Sequence, residues 1–214
     1  MDRIMANHLH IDDLPEGLTF GDSVAVDTET AGLHPLRDRL CLVQLSSGDG
    51  DAHLVQFRRP APGQRPDFAA PNLRRLLADP AVQKIFHFGR FDLAVMQRDL
   101  GLHATPVFCT KIASKLVRTY TDRHGLRDIC QELLSVSISK EQQSSDWGAE
   151  TLTDAQIGYA ASDVLHLHAL RDALTVMLER ENRMAFAQSC FAFLPTRAAL
   201  DLAGWDSVDI FAHA

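Results

Sequence analysis

Apolar positions in the first quarter of the chain come in short, β-branched runs. SVAVDTE (23–29), LCLVQLSS (40–47) and AHLVQF (52–57) are set apart by Gly, Asp and Ser, a pattern that predicts a three-strand meander. The Pro-rich stretch RRPAPGQRPDFAAP (58–71) suits neither a strand nor a long helix and reads as a surface loop. After it, NLRRLLADP predicts a short helix closed by Pro80, VQKIFHF a fourth strand, GRFDLAVMQRDLGL a helix ending near Gly101, and TPVFCT a further strand before a mostly helical remainder.

The clearest helical period lies in LTDAQIGYAASDVLHLHALRDALTVMLER, residues 152–180. Thr153 and Gln156 have the spacing of a capping box. Ala160, Val164, Leu167, Leu174 and Leu178 make one apolar stripe, so a single helix is expected. Tyr159 and Asp163, one turn apart, fall together at the stripe's edge. Strands first, then strands mixed with helices, indicate an α/β sandwich built on a mixed sheet.

Composition narrows this picture. With 214 residues, 46% of them hydrophobic, the chain can bury one sizeable core, whereas two domains would both be small; one domain over 1–214 is expected. The first twenty residues carry Asp2, Arg3, His8, His10, Asp12 and Asp13 without an apolar h-region, and no stretch approaches about eighteen uninterrupted apolar residues. A soluble, cytoplasmic protein with no membrane association follows as an expectation. Cys41, Cys109, Cys130 and Cys190 form no CxxC pair, which points to reduced thiols rather than a zinc or redox motif. A net charge of −7 argues against broad nonspecific binding to long duplexes but leaves room for a small nucleic-acid site.

Candidate chemistry begins at VAVDTETAGL. In a strand, Asp27 and Glu29 project from one face. A bare DxE pair of this kind is often just solvated, and if buried the two groups repel unless a proton or cation intervenes. Oxygen-rich sites suit magnesium or manganese. Asp92, just beyond the fourth strand, and Asp163, on the late helix, supply two further carboxylates. Four converging carboxylates would hold two divalent ions roughly 4 Å apart, an arrangement suited to phosphoryl transfer.

DTET, HFGRFD and YAASD resemble, in that order, the three exonuclease motifs of the DEDD superfamily in its tyrosine-containing branch, and SKEQQSSDWG followed by YAASDV is similar to ribonuclease D. The resemblance spans about residues 20–175 and leaves about 176–214 as a C-terminal helical extension. It implies a ribonuclease H-like exonuclease fold with a mixed central sheet and helices on both faces. It also implies 3′-to-5′ hydrolysis releasing 5′-mononucleotides, with Asp27, Glu29, Asp92 and Asp163 binding two Mg²⁺ or Mn²⁺ ions. Tyr159 would orient the attacking water, because a free phenol with pKa about 10 is a poor base at neutral pH.

The expected substrate contacts are Thr28, Leu33, His87 and Trp147. Leu33 matches the leucine that wedges between the last two bases in related oligoribonucleases; its alternative is loop packing. His87 matches a residue near the terminal nucleotide in many relatives. Trp147 offers either a stacking platform or ordinary core packing. KIASKLVRTYTDRHGLRD (111–128) holds Lys111, Lys115, Arg118, Arg123 and Arg127, either a solvated face or a phosphate-contacting patch. Gln142, Gln143 and Ser144 are weaker phosphate candidates.

Ribonuclease D normally continues into helical nucleic-acid-binding domains after YAASDV, and no such additional domain is expected here. CTKIAS, RHGL, SKEQQSSDWG and LPTRAALDLAGW are similar to the short, single-domain nanoRNase C group, whose resemblance implies cleavage of very short single-stranded RNA, dinucleotides such as pGpG above all, and a homo-oligomer, notably a ring-shaped octamer. The apolar C-terminal stretch from Phe191 to Phe211 packs either on its own domain or against neighbours, and the resemblance favours an interface. The competing activity is trimming of longer RNA 3′ ends or degradation of DNA. A binding module on a dead nuclease fold is disfavoured because all five chemical positions are present.

Overall fold

The computed structural model describes residues 6–139 and 141–213; Asp2, Arg3 and Lys140, the last within SKEQQSSDWG, lie outside them. The expected meander forms: β2 (Ser23–Thr30), β3 (Leu40–Ser46) and β4 (Ala52–Gln56) pair antiparallel in sequence order. β5 (Gln83–Phe86) joins β2 in parallel on the other side, and β6 (Val107–Cys109) joins β5 in parallel. Parallel neighbours need a crossover. The segment holding helix α1 (Pro71–Ala78) makes the first, and that holding α2 (Arg90–Val95) makes the second.

One strand has no counterpart in the sequence reading. β1 (Asn7–Ile11), NHLHI, pairs in parallel with β4 and extends the sheet to six strands in the order β1-β4-β3-β2-β5-β6. Its His/Leu/His/Ile alternation is very short and both apolar side chains, Leu9 and Ile11, stay exposed, so the pairing with β4 is what identifies it as a strand.

All seven residues of β3 are buried, so this central strand is covered on both faces. The remaining helices are α3 (Thr110–Val117), α4 (Leu126–Leu134), α5 (Asp154–Leu165), α6 (Leu167–Arg180) and α7 (Met184–Leu200). The Thr153–Gln156 capping box is present in both directions. The single helix expected over 152–180, however, breaks at His166. The residues of the predicted stripe are all buried, yet they serve two partners: α5 packs over β2, β3 and β4, while α6 packs on α3, α4 and β5. A repeat of 3.6 residues reports which face is apolar and is blind to a change of what that face covers. No helix among the described residues is long and apolar enough to cross a membrane.

Candidate active site

β2 is buried through Val26 and then opens, leaving Asp27 and Glu29 only half-buried. Because β2 and β5 run parallel, both point their C-terminal ends to the same edge. There β5 turns into α2, which delivers Asp92, and α5 crosses the sheet from above, delivering Tyr159 and Asp163. Carboxylate oxygens of Asp27, Glu29 and Asp163 all lie within 4.8 Å of one another. Asp92 is buried, and the Thr28 hydroxyl donates a 2.7 Å hydrogen bond to its Oδ1. Thr28 therefore fixes one carboxylate of the cluster directly.

Electrostatics confirm that the cluster is unfavourable by itself. Burial, then repulsion by Asp92, Asp163 and Glu29, pushes Asp27 well above the usual carboxylate range. Burial and the neighbouring aspartates push Glu29 up to about 9. Asp92 and Asp163 rise to about 7, mainly through burial, opposed by the Thr28 hydroxyl and the Tyr159 phenol respectively. Four oxygen donors that cannot all ionise together are a good fit for hard divalent cations, which would remove both the desolvation and the repulsion. The Tyr159 phenol is itself raised above its ordinary value by burial and by Asp163, so it keeps its proton.

These groups line a cleft of about 780 Å³. Thr28, Leu33, His87 and Trp147 line it too, together with Lys111, Arg127, Gln143 and Ser144. Leu33 is 91% exposed and packs on nothing in the core. His87 bonds through Nδ1 to the Thr110 hydroxyl at 2.9 Å and is held neutral, down to about 3, by burial and by Lys111. Trp147 is buried with its ring 6.0 Å from that of Tyr159, and its indole nitrogen has no hydrogen-bond partner among the described residues. It supports the tyrosine and presents almost no free face.

The basic segment divides. Lys111 and Arg127 reach the cleft, Arg118 is fully buried against Glu132, and Arg123 pairs with Asp128. Gln142 is absent from the cleft wall and accepts a hydrogen bond from Ser145.

Sequence reasoning missed the apparatus that presents Leu33. In the loop 31–39, Asp38 accepts from Arg37 and from the His34 amide, which hold its carboxyl down to about 2. A Cβ at Gly32 would stand 2.3 Å from Asp38 Oδ2, so any larger residue there would displace the Asp38 carboxylate. Arg98, in the π-helical turn Met96–Leu100 after α2, donates to the carbonyls of Pro35 and Asp38, while Asp99 accepts from the Leu40 amide at 2.7 Å. The contacts from Arg98 and Asp99 are long-range and leave no local motif. Phe88 and Ile138 also line the cleft and were likewise not foreseen.

A ribonuclease H-like sheet with acidic residues gathered at the shared strand edge defines a class, and residues 6–179 match the family described as 3′-5′ exonuclease, to which the chain belongs. Among solved structures it is similar to NrnC of Brucella melitensis bound to pGG, at 58% identity and TM-score 0.92 over 99% of this chain and 100% of that one. The same Brucella protein with bound Mg²⁺ matches at 57% identity and TM-score 0.90, over 98% and 100% of the two chains. Ribonuclease D of Gluconacetobacter diazotrophicus is 37% identical over 171 residues, 80% of this chain and 42% of that protein. The chain thus spans about two fifths of the length of the ribonuclease D proteins it matches.

Proposed function

We propose that the protein is a metal-dependent 3′-5′ exoribonuclease that hydrolyses short single-stranded oligoribonucleotides, dinucleotides such as pGpG foremost, to 5′-mononucleotides. The observation that carries this reading is the convergence of Asp27, Glu29, Asp92 and Asp163 in one cleft of about 780 Å³, a volume suited to a small ligand. Likeness to a pGG-bound nuclease over nearly the full length of both chains supports the short substrate.

In this reading the four carboxylates hold two divalent ions, Mg²⁺ or Mn²⁺, which when bound acidify water and stabilise charge on the scissile phosphate. Thr28 holds the Asp92 carboxylate in place, ready to serve as one of the ligands. Tyr159, protonated and braced by Trp147, orients the attacking water by hydrogen bonding and takes no proton from it. His87, neutral and tied to Thr110, offers a fixed polar contact to the terminal nucleotide. Leu33, carried on the braced loop, inserts between bases.

We further propose one exonuclease domain, a homo-oligomer, notably an octamer, and a cytoplasmic location. Exposed Phe186, Trp205, Ile210 and Phe211 support self-association, and the four free cysteines suit a reducing compartment.

The test is a length series of 5′-labelled RNAs from two nucleotides upward, with a duplex DNA, in Mg²⁺, Mn²⁺ or chelator. Fastest turnover on the dinucleotide, lost in chelator, is expected. Equal or faster turnover of long strands would replace this reading with ribonuclease D-like trimming.

A further inference from the structure

Phe88, between β5 and α2, has a backbone φ of +64°. For a bulky side chain this region is a genuine outlier, one that glycine or asparagine occupies far more easily. Packing does not repay the strain. Phe86, two residues earlier, is fully buried, whereas Phe88 is 46% exposed. The adjoining residue shows how tightly the turn is specified: a Cβ on Gly89 would come within 2.7 Å of Phe86 Cβ. Glycine thus stands where close approach demands it, and an aromatic ring stands at the preceding position, where the backbone favours glycine.

The ring lines the same cleft as the four carboxylates and Leu33. From α3, the Lys111 ammonium lies 4.3 Å from its centroid. A strained, half-exposed aromatic with a cation at its face, in the same cleft as the carboxylates that would hold the metal ions, has the composition of a platform for a nucleotide.

We propose that Phe88 is a binding residue that stacks on a nucleobase of the substrate, a second apolar contact besides Leu33; this rests on the exoribonuclease reading above. Stacking uses the π-face that every base has, so the contact is tolerant of sequence. Lys111 places one positive charge beside the ring, where a phosphate of the strand would find a partner.

The experiment compares wild type with Phe88→Gly, Phe88→Asn and Phe88→Trp on pGpG and on two dinucleotides in which one or the other guanosine is an abasic ribose. Loss of one base stack is expected to raise KM for pGpG about tenfold in the Gly and Asn variants, with kcat changing far less and Trp restoring KM. Their Tm should be unchanged or raised, because strain at φ +64° is relieved. The KM penalty should vanish on one abasic substrate and persist on the other. A Tm that falls in both variants while KM stays at the wild-type value would make Phe88 a packing residue and overturn the proposal. So would a penalty of equal size on both abasic substrates. Wild-type turnover of pGpG separates the two claims: if wild type leaves pGpG intact, the dinucleotide reading fails, and the variants are compared on a longer RNA with and without its terminal bases.

Discussion

Asp27 sits among three other carboxylates in a partly dehydrated cleft, and its burial and their repulsion both oppose its charge. Replacing it by Asn should therefore have opposite effects on activity and on metal-free stability. Asp27→Asn is expected to lower kcat/KM by at least about a hundredfold, yet to raise Tm in chelator near pH 8 and to lose most of the stabilisation that Mg²⁺ confers on wild type. Differential scanning fluorimetry with and without Mg²⁺, beside a turnover assay, checks both. The same electrostatics give a pH dependence. Carboxylates in the unfolded chain lose their protons near about pH 4, whereas in the folded, metal-free protein Asp92 and Asp163 keep theirs to about 7 and Glu29 to about 9. From about pH 4 to 9 the folded state binds more protons, so these groups make stability fall as pH rises. Mg²⁺ should flatten or reverse that slope. A Tm that rises with pH in chelator over this window would contradict the shifts.

At the scale of elements, the loop 31–39 shows what holds Leu33 in place at the cleft. Leu33 contributes no core packing of its own, and its position depends on Arg98 and Asp99 from the turn after α2. Arg98→Ala strips donors from the Pro35 and Asp38 carbonyls and should cost about 1–3 kcal/mol in urea unfolding. It should also raise KM for the dinucleotide more than it lowers kcat, since the carboxylates are untouched. Leu33→Ala should leave stability unaltered, because the side chain is almost wholly exposed, while weakening any preference for two-nucleotide substrates in the length series. The elements themselves were largely readable: the meander, the short helix after the Pro-rich loop and the capping box all form as their patterns predict. β1 and the break at His166 were not, because one depends on a neighbouring strand and the other on a change of packing partner.

For the whole molecule, exposed apolar side chains on and after α7, Phe186, Trp205, Val208, Ile210 and Phe211, sit away from the cleft walls. Arg90 and Arg197 both grip Asp201 and so tie the start of this C-terminal segment to α2, the helix that carries Asp92. Sedimentation is expected to give a mass that is a multiple of the 23.7 kDa protomer. Trp205→Asp together with Phe211→Asp should lower that mass. A wild-type monomer at micromolar concentration would refute the proposed octamer.

The sequence by itself named the candidate groups: DTET, HFGRFD and YAASD carry Asp27, Glu29, Asp92, Tyr159 and Asp163, because resemblance to exonuclease motifs, strand alternation and helical spacing are local properties that short motifs record. Tertiary structure decided how these groups meet. Parallel pairing of β2 with β5 brings two motifs to one edge, and the packing of α5 across the sheet brings the third. It also decided that Arg118 is buried while Lys111 reaches the cleft, that Trp147 backs Tyr159, and that Phe88 stands exposed on a strained backbone. Residue type records what a side chain can do, but exposure, electrostatic coupling and backbone strain arise only when distant segments share the same space.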